Sequence, residues 1–173
     1  MIFMIGRPAS NEAAPYYFGY INRVNGGDIL PALHAQLDET LAFLRGISEE
    51  KSLHRYAPEK WSIRELLGHV NDTERVFVFR ALWFARHLNS ALPSFEQDSA
   101  VVTAKSDAIP WARHLEEFRE LRLATISFFR NLPDEAWMRT GVASGNPFTV
   151  RACAYIVAGH VAHHAAVLRE KYL

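Results

Sequence analysis

Leu30, Leu33, Leu37, Leu41 and Leu44 recur at steps of three and four residues. That spacing places all five on one face of an α-helix. Asn25-Gly26-Gly27-Asp28 reads as a turn followed by a helix cap, so the first long helix is expected over Ile29 to Arg45, ended by Gly46. The second start signal is stronger. Ser62 and Glu65 have the spacing of a capping box, and Trp61 is placed to pack on Leu66 as a hydrophobic staple. A second helix follows from Ile63 to about His87. Pro93 and the polar run Ser94 to Ser99 predict a loop. A third helix is expected from Ser106 or Asp107, with Pro110 tolerated in its first turn, carrying Leu115, Phe118, Leu121, Ile126 and Phe129 and ending before Pro133. Pro133 to Met138 adds a short turn, and Gly141 to Pro147 reads as a loop. Thr149 then caps a last helix that runs to about Tyr172. No segment shows a strand-like alternation. Four long helices joined by loops predict an all-α chain, a four-helix bundle.

Residues 1–14 read as a loose tail and 15–173 as a single domain, with Tyr16 to Ile21 apolar enough to dock as a short helix. The length of 173 residues suits one domain with a core that needs no disulfide staples. Lys plus Arg and Asp plus Glu each number 19, so the formal charge is zero. That weighs against a protein built to grip nucleic acid, which shows a basic excess. The single cysteine, Cys153, excludes an internal disulfide framework and a Cys-rich zinc site. No apolar stretch reaches membrane-span length, and the first residues lack a signal peptide's basic region and apolar core. A cytoplasmic protein with no membrane partner is the expectation.

The histidines are the chemically informative residues. His160, His163 and His164 fall within one short stretch near the C-terminus. At about 100° per residue, His160 and His164 lie roughly 40° apart on one helix face and can reach a common point. This is the two-histidine half of a metal chelate, also found inside H-E-x-x-H. Position 161 is Val, so the glutamate base of that motif is missing. His160 with His163 is a second possible pair, and the four-residue step is preferred because it closes a chelate more easily. A third ligand has to come from another helix, and His69, flanked by Leu66, Val70 and Val76, is the best candidate. Three neutral imidazoles would leave a divalent ion its full charge and open positions, the arrangement of a catalytic rather than a sealed site. Imidazole suits zinc, nickel, iron or copper alike. His34, His54, His87 and His114 are scattered and read as surface histidines.

Taken together, Trp61-Ser62 with Glu65, the run His69-Val70-Asn71-Asp72-Thr73-Glu74-Arg75, and Gly159-His160 with His163-His164 resemble the DinB-like superfamily. The resemblance is closest to its YfiT-like members, described as metal-dependent hydrolases. Gly141 to Pro147 and Thr149 to Ala152 look like the family's lead into its last helix. The resemblance covers roughly residues 16–173. It implies a four-helix bundle holding a divalent metal, nickel or zinc, on His69, His160 and His164. It also implies a homodimer and a small-molecule substrate.

A three-histidine ion can activate water for hydrolysis or hold a thiol as its thiolate. A metal-dependent hydrolase is therefore expected. A thiol-dependent transferase or isomerase of the bacillithiol, mycothiol or glutathione type is the alternative, as is a metal-binding stress protein without turnover. A DNA-associated role has only the family's damage-inducible name behind it. Glu65 and Asp72, one turn before and after His69, are candidate bases or supports for a ligand ring. Glu65 is equally the capping partner of Ser62, and Asp72 and Glu74 read equally as a solvated face or as partners of Arg75. His163 faces substrate, supports a ligand or sits at an interface. Arg122 meets an anionic substrate or belongs to a surface ion pair. Cys153 reads as a buried small side chain.

Overall fold

The computed structural model describes residues 4–173. After a 3-10 turn at Pro15–Tyr17, the elements are α1 (Phe18–Ile21), α2 (Ile29–Arg45), α3 (Ile63–Ala85), α4 (Gln97–Ala104), α5 (Trp111–Arg130), β1 (Thr140–Ala143), β2 (Asn146–Thr149) and α6 (Val150–Val167). A π-helical turn, Leu168–Tyr172, extends α6. The four long helices α2, α3, α5 and α6 make the bundle. α2 packs on α5 and α6, and α3 packs on the same two. The consecutive helices α2 and α3 therefore sit diagonally across the bundle.

Local chemistry fixes the helix starts. The Asp28 side chain accepts from the Leu30 amide at 3.3 Å and caps α2. At α3 the capping box is complete: Ser62 Oγ accepts from the Glu65 amide at 3.0 Å, and Glu65 Oε2 accepts from the Ser62 amide at 2.9 Å. Thr149 Oγ1 accepts from the Ala152 amide at 3.0 Å and caps α6. The leucine face of α2 enters the core, with Leu33, Leu37, Leu41 and Leu44 buried. Towards one end Leu37, Leu41 and Leu44 pack with Leu66, Val70, Phe118 and Val161. Towards the other, Phe77, Phe84, Phe129, Phe148 and Tyr155 fill the space.

Five expectations need correction. Residues 1–3 lie outside the described residues, but 4–14 are not a loose tail. Ile5, Glu12 and Ala13 are buried, Tyr155 Oη donates to the Ile5 carbonyl at 3.0 Å, and Glu12 pairs with Arg151 and accepts from Thr149 Oγ1. The loop expected at 94–99 holds the start of α4, and the third bundle helix begins at Trp111, past Pro110, rather than at Ser106. The loop over Gly141–Pro147 is a hairpin, with Thr140 paired to Thr149 and Ala143 to Asn146. Its two turn residues, Ser144 and Gly145, both take positive φ, 50° and 73°, as a type I′ hairpin turn demands. His114 is buried, with Nε2 2.9 Å from the Ser106 carbonyl oxygen; His34, His54 and His87 are exposed.

Candidate functional site

α3 and α6 run side by side, and each brings histidine to their interface. His69 lies in the second turn of α3, and His160 and His164 lie one turn apart on α6. The Nε2 of His160 is 3.1 Å from the Nε2 of His69 and 3.1 Å from that of His164. One ring nitrogen from each of the three lies within 4.8 Å of the others. His69 and His160 are buried and His164 is partly covered.

Aromatic packing holds these rings. Trp61 lies against His69 with ring centroids 4.8 Å apart, and Tyr20 meets His160 edge-on at 5.3 Å and His163 at 5.4 Å. Tyr20 gets there because α1 lies directly on α6. A Cβ at Gly159 would meet the Tyr20 carbonyl oxygen at 2.1 Å, so the close approach requires glycine at that position. The Nδ1 atoms of His69 and His164 are buried and have no hydrogen-bond partner among the described residues. Ring orientation at these two positions therefore rests on packing.

Burial keeps the cluster neutral. It pushes His69 down to about 4 and His164 down to about 3. Burial, then repulsion from His164, His69 and His163, holds His160 well below the ordinary histidine value. Near neutral pH the imidazoles keep lone pairs and carry no charge. This is the form in which imidazole binds metals.

His164 opens onto a cavity of about 360 Å³, whose walls include Tyr56, Trp61, Asp98, His163 and Tyr172. His163 thus faces the cavity while its ring meets that of His164 edge-on at 4.9 Å. Asp98, on α4, came from a stretch expected to be a loop. Tyr56 and Tyr172 come from the α2–α3 connection and the C-terminal turn, and nothing in their sequence spacing marks them. Trp61 carries one signal: it stands just before a capping box, where a residue packs back on the new helix.

The remaining candidates lie elsewhere. Glu65 is engaged in its cap and in an ion pair with Arg55 at 2.5 Å. Asp72 faces Arg75 at 3.4 Å, and its carboxyl is pushed up by burial. Arg122 lies neither at the surface nor at the wall of the cavity beside His164. It is fully buried, and its Nε and Nη2 donate to Glu74 at 3.0 and 2.9 Å. Its Nη1 donates to Gln36 Oε1 at 2.7 Å, and Gln36 Nε2 donates to the Ala158 carbonyl at 2.8 Å, so one polar chain ties α5, α3, α2 and α6. Glu74 therefore serves Arg122 and not Arg75. Cys153 is buried, and burial pushes its thiol up to about 12, which leaves it inert as a nucleophile.

The model of the DinB superfamily matches residues 32–168, most of the chain. The chain belongs to the DinB superfamily. Among solved structures it is similar to YfiT from Bacillus subtilis, described as "a probable metal-dependent hydrolase with an unusual four-helix bundle topology". The two share 15% identity at a TM-score of 0.66, over 94% of this chain and 91% of the other. That similarity shows the DinB fold. Comparison with curated proteins finds no match.

Proposed function

We propose that this DinB protein is a metal-dependent hydrolase whose divalent ion is held by His69, His160 and His164. The observation that carries the reading is the spacing of the ring nitrogens. Ligand nitrogens about 2.0–2.1 Å from one ion, at angles between right and tetrahedral, lie roughly 2.8–3.4 Å apart. The two 3.1 Å separations at His160 fall inside that range. A hydrogen-bonded arrangement explains them less well: a neutral imidazole has one N–H, so the Nε2 of His160 can donate to only one of its two neighbours. The donor set also fits the ion. Three neutral nitrogens with no carboxylate or thiolate suit nickel or zinc and leave the charge of the ion undiminished.

Such an ion, when bound, supplies the Lewis acidity that activates water near neutral pH. The chain's own residues do the rest. Trp61 and Tyr20 fix the ligand rings and exclude water behind them. The cavity beside His164 admits a small molecule, with Tyr56, Trp61 and Tyr172 offering apolar faces and His163 and Asp98 offering polar contacts at its wall. Such a cavity, partly apolar with a few polar groups, is the usual form of a small-molecule site.

Metal analysis of the purified protein tests the ion. About one equivalent of nickel or zinc per chain is expected, with loss of it in His160→Ala and in His164→Ala. A wild-type protein that binds neither metal, or variants that retain it, would overturn the site. The loaded protein is then screened against esters and amides, with and without added thiols. Hydrolysis that disappears in His69→Ala supports the reading, and turnover only in the presence of a thiol would replace it with thiol transfer.

A further inference from the structure

Three arginines lie in the interior: Arg64, Arg80 and Arg122. Two are neutralised by a carboxylate, Arg122 by Glu74 and Arg64 by Glu49. Arg80, 4% exposed, has no such partner among the described residues. Its Nη2 donates to the Pro93 carbonyl at 3.3 Å and to Ser144 Oγ at 2.9 Å. Its guanidinium lies 4.9 Å from the centre of the Phe77 ring and 5.9 Å from that of Phe148. Those contacts orient the group and soften its charge, but they supply no anion, and Nε and Nη1 are left to donate elsewhere. A cation removed from water is costly unless a counter-charge meets it.

Arg80 also lines a cavity of about 360 Å³ between α3 and the chain that follows it, walled by Val76, Phe79, Leu92, Pro93 and Phe95. That volume lies in the range of small-molecule pockets. Arg75 stands at the same cavity, but Asp72 and Glu117 already pair with it. The cavity shares no wall residue with the one beside His164. Arg80 stands three turns beyond His69 on α3, about 16 Å along the helix axis.

We propose that this cavity is a second binding site, for a small apolar carboxylate such as a short acyl-chain acid, with Arg80 anchoring the carboxylate and the apolar wall taking the chain. One uncommitted guanidinium matches one negative charge, so a carboxylate suits the site better than a phosphate dianion. The proposal does not depend on the metal reading.

Calorimetric titration of the full chain with octanoate tests it, with octanamide as the uncharged counterpart. Saturable binding of octanoate is expected, with the amide weaker by about tenfold or more. Arg80→Met is expected to abolish the preference for the acid. Because Arg80 also ties the 93–94 segment to the hairpin, a second variant is needed. Ser94→Trp places bulk at the cavity wall without touching the contacts of Arg80, and it is expected to block binding while the protein stays folded. His164→Ala is expected to bind octanoate as the wild type does. The proposal is overturned if acid and amide bind alike, if Ser94→Trp binds undiminished, or if His164→Ala loses the binding. It is also overturned if octanoate fails to bind, and sedimentation as a dimer closed over this face would then make a second copy the occupant.

Discussion

At Gly159 a missing side chain positions an aromatic ring over the histidine cluster. Any Cβ there overlaps the Tyr20 carbonyl, whose oxygen would lie 2.1 Å away. α6 cannot give way, because it is buried on most sides over 152–161. α1 must then lift, taking Tyr20 off His160 and His163. Gly159→Ala is expected to destabilise the protein by roughly 1–3 kcal/mol, the range for overpacked interiors, although alanine is the better helix former. Thermal unfolding checks it, and an unchanged or raised midpoint would show that α1 is free to move. Arg122 poses the opposite problem, a side chain that is present and must be matched. Removing Arg122 alone strands the Glu74 carboxylate in the bundle, at a cost of about 3–5 kcal/mol. Arg122→Met with Glu74→Leu is expected to recover most of that loss, since an apolar pair of similar bulk carries no desolvation penalty. Urea unfolding of the two single variants and the double reads the difference.

At the scale of elements, one carboxylate joins the Tyr155 hydroxyl in holding the N-terminal segment to α6. Glu12 loses something to burial, which alone would raise its pKa, but the Arg151 guanidinium, the Ala9 amide and the Thr149 hydroxyl outweigh this and leave it below its ordinary 4.5. A carboxyl whose folded pKa is depressed contributes stability above its unfolded pKa and loses it as pH falls through the folded value. Glu12→Gln is therefore expected to melt below wild type near neutral pH, and the gap is expected to close as pH drops below about 4.5. A gap constant with pH would mean that the contact does not depend on charge. Glu12 also shows where a sequence stops being legible. Asp28, Ser62 and Thr149 announce their helices because the cap bonds a backbone amide two or three residues away. The partners of Glu12 lie 137 and 139 residues on, and no local pattern encodes that. The hairpin stayed hidden for another reason: four-residue strands carrying Gly141 and Pro147 show no alternation, and only the Ser144-Gly145 turn marks them. α4 likewise lacks a clear apolar face, with only Val101 buried, so its Asp98 could not be placed at the cavity. The His160–His164 pair was legible because helical periodicity puts both rings on one face, whereas His69, on another helix, was singled out by its apolar flanks and by the family resemblance. Arg122 was not legible, since an arginine on a helix gives no sign of a buried carboxylate on another.

For the molecule as a whole, a metal on the histidine cluster would be a long-range crosslink. His69 and His160 are 91 residues apart, and only the folded bundle brings them together. A preformed set of ligands that does not exist in the unfolded chain ties metal affinity to folding free energy. Free metal at a hundredfold excess over its dissociation constant adds about 2.7 kcal/mol to the folded state. For a domain of this size, each kcal/mol moves the melting midpoint by about 2–4 °C, so loading with nickel or zinc is expected to raise it by roughly 5–10 °C. Chelation is expected to reverse the shift. His164→Ala removes a proposed ligand at the open edge of the cluster, where the side chain borders the cavity on one side and the leucine core on the other. That variant is expected to melt at much the same temperature with and without metal. Paired scans of wild type and His164→Ala, each with added metal and with chelator, decide the matter. Equal metal responses in the two proteins would place the ion somewhere other than the junction of α3 and α6.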